Sequence, residues 1–248
     1  MSDLPEATSR YVEAVREAIT AIVAEEAQAL ARAVQLCADA VAAGRTIYLF
    51  GTGHSHVMAE EGHHRAGGLA CVCPILAAGL MLHEGAESGT LMERTPGVAA
   101  AVLARYPIQP GDVLIVFSNS GVNTVPVEAA LAAKDSGAAV IAVLAAAYAR
   151  QVPTGPVGRK LGEVADLVID NHGPPGDAAV AFAKSPLRSG PLSTVTGALI
   201  LNGILVGVVE SLIARGIEPP VWISSNLPGA HEHNLRLLAR YRGKNPHL

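Results

Sequence analysis

The stretch that decides the fold is DVLIVFSNSGVNTVPVEAALAAKDS, residues Asp112–Ser136. Residues 112–117 form an unbroken apolar run rich in β-branched side chains, which is typical of a strand buried on both faces of a parallel sheet. The polar turn 118–121 ends this run, and Asn123 or Thr124 then offers an N-cap for a helix. The stretch therefore predicts a strand, a polar turn and a helix in direct succession.

A turn of this kind suits an anion. The backbone N–H groups at the start of a helix have no acceptor in the helix itself, and the helix dipole favours negative charge there. Candidate ligand-binding residues in this turn are Ser118, Asn119, Ser120, Asn123 and Thr124, whose side chains add neutral hydrogen-bond donors. An ordinary polar turn between a strand and a helix remains the alternative, because such turns are common.

The same arrangement occurs earlier in the chain. A predicted strand at 46–50 is followed by Gly51-Thr52-Gly53-His54-Ser55-His56 and by a predicted helix over 55–65. His56 stands where a dinucleotide fingerprint has its third glycine, and no Gly-Lys-Ser/Thr sequence follows, so a nicotinamide site and a Walker-type loop are both disfavoured. What remains is a small phosphate site that includes Gly53 and Ser55.

Three further apolar runs, at 71–75, 138–144 and 164–169, complete a set of five predicted strands that alternate with helices. This pattern predicts the α/β class, as a three-layer α/β/α sandwich around a five-stranded parallel sheet. Ligands of such sheets bind at the carboxyl ends of the strands. Both polar turns follow a carboxyl end, so they can converge on one anion if their strands are neighbours.

Long helices are predicted on either side of this unit. Residues 5–43 are predicted to form one amphipathic helix that covers the core or joins a second subunit. Residues 193–215 are predicted to form a late buried helix rather than a membrane span, because Asn202 and Glu210 interrupt its apolar character. Segment 146–162 is predicted to be a long loop that could act as a lid. Segment 170–191 is predicted to be irregular.

The domain organisation follows from these elements. We expect an N-terminal helical segment at 1–44, a ligand-binding domain at 45–215 and a C-terminal extension at 216–248, all within one compact unit.

Composition limits the partners. Half of the residues are hydrophobic, the net charge is −4 and there is no basic stripe, so neither nucleic acid nor a membrane is an expected partner. The start of the chain has no secretory pattern, and three cysteines fit a reducing cytoplasm. Cys71 and Cys73 alternate on what resembles one strand face, but two thiols fall short of the four ligands of a structural zinc site. No metal and no cofactor are expected.

These motifs resemble those of the SIS, or sugar isomerase, family, over roughly residues 30–215. Gly51–His56 is similar to the first phosphate loop of sedoheptulose-7-phosphate isomerase, and 118–123 is similar to its second. The likeness is greater still to the UPF0309 group of SIS proteins, in which the segments AEE, RAGGL, LMLHEGA, SNSGVNTVPVE, GDA and STVTGA recur in that order. The resemblance implies a flavodoxin-like fold.

The resemblance also implies a ligand. It places the phosphate of a phosphorylated sugar on Ser55, Ser118, Ser120 and Asn123. The start of the late helix, with Ser193 and Thr194, resembles a family segment near the sugar. Family members form dimers or tetramers whose sites are completed at subunit contacts, so we expect a homodimer or homotetramer.

The catalytic residues of these relatives are not present at the matching positions of this chain. Glu61 and Arg65 stand where the heptose isomerase has the His and Glu of its zinc site. N-acetylmuramic acid 6-phosphate etherase has a similar Glu-Gly-Ala-Glu string, here 84–87, but its other catalytic Glu falls on Arg65. Isomerisation needs a base beside a carbonyl. By residue type we therefore name Glu61, Glu84 and His83 as catalytic candidates.

Other histidines have weaker claims. His63 and His64 are expected on a helix face, and the His231-Glu232-His233 tail is expected to face solvent rather than to bind a metal. Three functions stay open at this stage. They are an aldose–ketose phosphosugar isomerase, a non-catalytic phosphosugar-binding or sensing module, and a lyase or etherase acting on an amino-sugar phosphate.

Overall fold

In a computed structural model, which describes residues 4–248, five strands form one parallel sheet in the order β2-β1-β3-β4-β5. The strands are β1 Ile47–Gly51, β2 Val72–Pro74, β3 Val113–Phe117, β4 Ala139–Leu144 and β5 Leu167–Asp170. All five were predicted from their apolar runs, and the α/β class is confirmed. The sheet is parallel throughout, so every strand has its carboxyl end at the same edge.

Helices cover both faces of the sheet. They are α1 Glu6–Glu25, α2 Ala27–Ala42, α3 Val57–Glu61, α4 Ala86–Met92, α5 Val98–Leu103, α6 Thr124–Asp135, α7 Ala146–Gln151, α8 Leu161–Val164, α9 Ser193–Ala214 and α10 Ala230–Tyr241. Short 3₁₀ turns occupy Gly53–His56, Ala78–Leu80 and Leu82–Glu84.

The sheet separates two hydrophobic cores because successive side chains of a strand point to opposite faces. Ile47 and Leu49 of β1 pack with α2, α3, α9 and α10 on one face. Tyr48 and Phe50 pack with α5, α6 and α8 on the other. This is the predicted three-layer sandwich. Cys71 and Cys73 lie in different cores, so the prediction that they share one strand face is wrong.

The single helix predicted over 5–43 is two helices. The break is at Glu26, whose Oε2 accepts a 3.2 Å hydrogen bond from the backbone N–H of Asp170. Gly44 ends α2 with a positive φ of 72°, as its position in the sequence predicted.

The region predicted to be irregular contains an antiparallel hairpin, with β6 at Ala178–Phe182 and β7 at Ser185–Pro191. Its strands are rich in Ala, Ser and Pro, which have low strand propensity, so the sequence pattern did not reveal them. The hairpin packs on α1, where the Tyr11 hydroxyl donates to the carbonyl of Pro191 at 2.8 Å.

The predicted loop at 146–162 contains α7 and leads into α8. It packs against the second polar turn, because the N–H of Leu161 donates to the carbonyl of Gly121 at 2.8 Å. The Lys160 ammonium joins the two helices through the carbonyls of Ala149 and Val152. The segment is therefore hydrogen-bonded to that turn and contains helical structure rather than being a loop throughout.

Helix α9 is buried along one face only. By length and composition it could cross a membrane, and 39% of its most apolar window is buried. Its inner face packs on α2, where a Cβ on Gly207 would lie 2.6 Å from Val34. Its outer face exposes four large apolar side chains, Val195, Leu199, Val206 and Ile213. The prediction of a buried helix therefore holds for its inner face only.

Candidate functional site

The two polar turns lie side by side at the carboxyl edge of the sheet. Strands β1 and β3 are neighbours, with Gly51 paired to Phe117 at their last positions. The first turn folds back so closely that a Cβ on Gly51 would lie 2.3 Å from the carbonyl oxygen of Ser55. A glycine is therefore required there. The sequence predicted that the two turns could converge if their strands were neighbours, and in the structure they are.

A cleft with two lobes opens between these turns. Ser55, Ser118 and Asn119 line both lobes. The inner lobe extends toward the start of α9 and adds the polar side chains of His54, Asn171, Ser193 and Thr194. The outer lobe, about 290 Å³ in volume, extends toward the end of α4 and adds Thr52, Glu93, Arg94, Ser120, Asn123 and Tyr148.

Free hydrogen-bond donors concentrate where the lobes meet. Within the described residues, the backbone N–H groups of 119–124 donate to no protein acceptor. The hydroxyl-bearing residues Ser55, Ser118 and Ser120 line the same lobe. Because α6 begins at Thr124, its positive end faces this point. The junction of the lobes can therefore take an anion without rearrangement.

Two polar contacts shape the inner lobe. The buried Asn171 donates from Nδ2 to Oδ1 of Asn119 at 3.0 Å, which orients the amide of Asn119. Asp177 accepts from the N–H groups of Leu192 and Ser193 and from the Ser193 hydroxyl at 2.6 Å. These bonds position the start of α9 at the edge of the cleft. Asn171 and Asp177 were not identified from the sequence.

Glu93 and Arg94 form the floor of the outer lobe. The Thr52 hydroxyl donates to Oε2 of Glu93 at 2.6 Å, and Arg94 lies 3.2 Å from Oε1 of the same carboxylate. The Thr124 hydroxyl donates to the carbonyl of Arg94 at 3.1 Å, and the Val125 N–H donates to that of Glu93. These two residues join both turns, and no local motif marked them.

Seven of the nine predicted ligand-binding residues line the cleft; Gly53 and Thr124 do not. Thr124 is fully buried, and its hydroxyl is turned to Arg94 rather than to the cleft. Gly53 has a positive φ of 56°, and its carbonyl is bonded to the His56 ring. Both therefore shape the turns without lining the cleft.

The structure places Glu61 outside the cleft. Its carboxylate is bonded to Arg65 and accepts a 2.9 Å hydrogen bond from Nδ2 of Asn202 on α9. Six residues separate it from Ser55, which is about 1.7 turns of helix, so the two side chains face different directions. Glu61 is close enough to Ser55 along the chain, but its side chain is turned away from the cleft toward Asn202.

His83 and Glu84 also lie outside the cleft. They form an exposed 3₁₀ turn in which their side chains are 61% and 55% exposed. The His83 ring packs at 6.3 Å from the ring of the buried His56. None of the three catalytic candidates therefore reaches the point where the free donors converge.

The other histidines divide into two groups. His63 and His64 lie just after α3, in a cluster with His247, Trp222 and Tyr106. His231 and His233 lie on α10, and His233 is bonded to the carbonyl of Val221 at 2.8 Å. Within residues 4–248 no group of three or more His, Cys, Asp or Glu side chains is arranged to hold a metal ion.

Comparison with known proteins now identifies the family. A family model described as SIS domain matches residues 10–145. A UPF0309 protein from Brucella anthropi is 45% identical over 245 residues, which is 99% of this chain and 100% of the relative. The chain belongs to the SIS domain family. The resemblance drawn from its motifs is therefore confirmed.

Solved SIS-fold structures agree with this architecture. Phosphoheptose isomerase from Neisseria gonorrhoeae has a TM-score of 0.56 at 16% identity, over 82% of this chain and 96% of that one. The Vibrio vulnificus NanR protein, solved with ManNAc-6P, has a TM-score of 0.50 at 14% identity, over 92% of this chain and 67% of that one. At these identities the likeness shows the fold alone.

Proposed function

We propose that this SIS protein binds a phosphorylated sugar in the two-lobed cleft, with the phosphate at the junction of the lobes. The observation that carries the proposal is the convergence of the free amides of 119–124 with the hydroxyls of Ser55, Ser118 and Ser120. Asn123 lines the same lobe. Neutral donors at a helix N-terminus are the usual protein partners of a phosphate dianion.

The inner lobe, with about 20 Å³ of free volume, has room for one end of the sugar rather than for all of it. It offers Nδ2 of Asn119 as a donor and the Thr194 hydroxyl as a donor and acceptor. The Ser193 hydroxyl already donates to Asp177, and the Asn171 amide is bonded to Asn119 and Gly173. Ser55 and Ser118 border both lobes, so a ligand anchored there by its phosphate can direct one end toward α9 while the rest lies in the larger outer lobe.

The reaction we propose is aldose–ketose isomerisation through an enediolate. It moves one proton between neighbouring carbons and needs a base and a group that stabilises the enediolate oxygen. No metal or cofactor is part of this proposal. The NanR protein solved with ManNAc-6P and the phosphoheptose isomerases have the same fold, which supports a phosphosugar ligand.

A second candidate is a non-catalytic phosphosugar-binding module. One observation favours it, namely that Glu61, Glu84 and His83 all lie outside the cleft. An etherase or lyase acting on an amino-sugar phosphate needs the same anchor, and release of lactate from a muramic acid phosphate would identify it.

Binding can be tested by calorimetry with a panel of pentose, hexose, heptose and amino-sugar phosphates, with inorganic phosphate as the minimal ligand. Ser120→Ala should weaken binding of the best ligand about tenfold or more, because one hydrogen bond to a charged group contributes about 1.5–3 kcal/mol. The matched control is Ser136→Ala at the opposite end of α6, whose hydroxyl bonds Ala132. Unchanged affinity of Ser120→Ala for a verified ligand would refute the phosphate site.

Catalysis can be tested in deuterated water. An isomerase incorporates deuterium at the carbon beside the carbonyl of a bound sugar phosphate, and NMR detects the exchange. A sugar phosphate that binds and takes up no label from the protein identifies the binding module instead.

We also propose a homodimer that buries the outer face of α9. Val195, Leu199, Val206 and Ile213 are exposed there, and Gly203 has open space above it. A second α9 could approach closely at such a glycine. This face begins beside Ser193 and Thr194, so the contact would border the inner lobe. A homotetramer would need a second contact as well.

The oligomer can be tested by sedimentation. Val206→Glu should shift the protein toward monomer, whereas Leu227→Glu, an equally exposed leucine before α10, should not. A wild-type monomer at micromolar concentration would refute the contact. We propose a cytoplasmic location, since all three cysteines are free thiols, as is usual in a reducing compartment.

A further inference from the structure

The inner lobe contains one side chain of a type that commonly serves as a general acid or base. Among the described residues that line it, His54 is the sole ionisable group; the others are hydroxyl, amide, aromatic, thioether or aliphatic side chains. In the outer lobe, the Glu93 carboxylate is already bonded to Thr52 and Arg94. A proton transfer at the end of the ligand that enters the inner lobe therefore depends on His54.

His54 is placed to act there. It belongs to the 3₁₀ turn Gly53–His56, directly before Ser55, which borders both lobes. It is exposed and lines the inner lobe, so its ring nitrogens can meet a ligand. His56, two residues later, is buried and bonded to the carbonyl of Gly53. The turn therefore presents one histidine to the cleft and retains the other in the fold.

We propose that His54 is the general base and acid of the isomerisation, an inference that rests on the proposed function. Its neutral ring nitrogen removes the proton from the carbon beside the carbonyl. The electron pair of that C–H bond forms the C=C bond of the enediolate, and the carbonyl oxygen takes the negative charge. The imidazolium then returns the proton to the former carbonyl carbon, while the hydroxyl proton of the neighbouring carbon passes to the former carbonyl oxygen, so that the carbonyl group ends one carbon along. Atoms and charge balance without an oxidant or a metal.

The surroundings of His54 can stabilise the enediolate oxygen. Nδ2 of Asn171 donates to Oδ1 of Asn119 at 3.0 Å. Nδ2 of Asn119 therefore remains as a donor at the edge of the lobe. The first turn of α9 borders the same lobe through Ser193 and Thr194, and α9 is 22 residues long. Its positive end favours developing negative charge, although Asp177 offsets part of that effect at Ser193.

The test compares His54→Ala with the wild type, using the sugar phosphate that binds most tightly. We expect its dissociation constant to change less than about threefold, because the phosphate anchor is intact. Deuterium uptake should fall about 100-fold or more, which is the usual contribution of a general base. Added imidazole should restore part of the uptake, which a purely structural role of His54 would not allow. His231→Ala, an exposed histidine on α10, is the control and should exchange at the wild-type rate.

The outcomes separate this inference from the proposed function. Exchange by His54→Ala at the wild-type rate would overturn the role of His54 and leave the isomerase intact. The role of His54 would also be overturned if His54→Ala lost both binding and exchange. The same holds if its exchange were lost and imidazole did not restore it. A wild-type protein that binds sugar phosphates but exchanges none of them would refute the isomerase and the base together, while the phosphate site would stand.

Discussion

The Thr52 hydroxyl donates a 2.6 Å hydrogen bond to Oε2 of Glu93, which joins the first polar turn to the end of α4. Because this bond holds a carboxylate that is 13% exposed, breaking it leaves a charged group poorly solvated. Thr52→Val and Glu93→Gln should therefore destabilise the protein non-additively, with a coupling of about 1–2 kcal/mol. Urea unfolding of both single variants and the double variant measures it.

The control for this cycle is Thr95→Val combined with Glu93→Gln. The Thr95 hydroxyl bonds the carbonyl of Leu91 and not the carboxylate, so these effects should add. Additive effects in the Thr52 pair would show that the bond contributes nothing to stability.

Gly51→Ala should distort the first turn, because the new Cβ would lie 2.3 Å from the carbonyl oxygen of Ser55. We expect a loss of about 1–3 kcal/mol of stability and weaker sugar-phosphate binding, since Ser55 must move. Gly243→Ala is the matched control, because its Cβ would meet nothing within 4 Å. Equal effects of the two substitutions on binding would contradict the close approach.

Asp177→Ala should destabilise the start of α9 by about 1–2 kcal/mol, because it removes the acceptor of Leu192, Ser193 and the Ser193 hydroxyl. Asp177→Asn keeps an acceptor and tolerates the positive φ of 65°, so it should lose less. Thermal unfolding of the two variants compares them. A larger loss in the Asn variant would contradict this capping role.

The cluster that anchors the C-terminal residues should make stability depend on pH. Burial holds the pKa of His63 and of His247 below the usual 6.5, with the charges of His64, His247 and Arg105 adding to the effect. The folded state therefore favours neutral rings, whereas the unfolded chain takes up protons as pH falls below about 6.5. Stability should be complete above that value and decline as pH falls through the folded-state pKa values.

His247→Gln tests this dependence because it removes one titrating ring next to the Tyr106 hydroxyl, which lies 2.8 Å from Nε2. The variant should lose less unfolding free energy than the wild type between about pH 7.5 and pH 5.5. His231→Gln on the exposed side of α10 should leave the pH dependence unchanged. A dependence equally steep in His247→Gln would contradict the assignment.

The strands and the two polar turns could be predicted from the sequence because their patterns depend on residues that are adjacent in the chain. A strand buried on both faces has to be apolar at every position, as 113–117 is, and a turn that binds an anion needs glycine and small polar side chains next to it. The direction of a side chain on a short helix is harder to predict from the sequence. Glu61 was within reach of Ser55 along the axis, yet it is turned toward Asn202.

What the sequence by itself determined was the number of buried strands, the family and the two turns that bear hydroxyl groups. Only the tertiary structure decided that β1 and β3 are neighbours, that Glu93 joins the turns, that His54 faces the inner lobe and that α9 leaves one apolar face exposed. The reason is physical. Strand and turn patterns depend on neighbours in sequence, whereas the cleft is assembled from side chains as far apart as Thr52 and Thr194, which packing alone brings together.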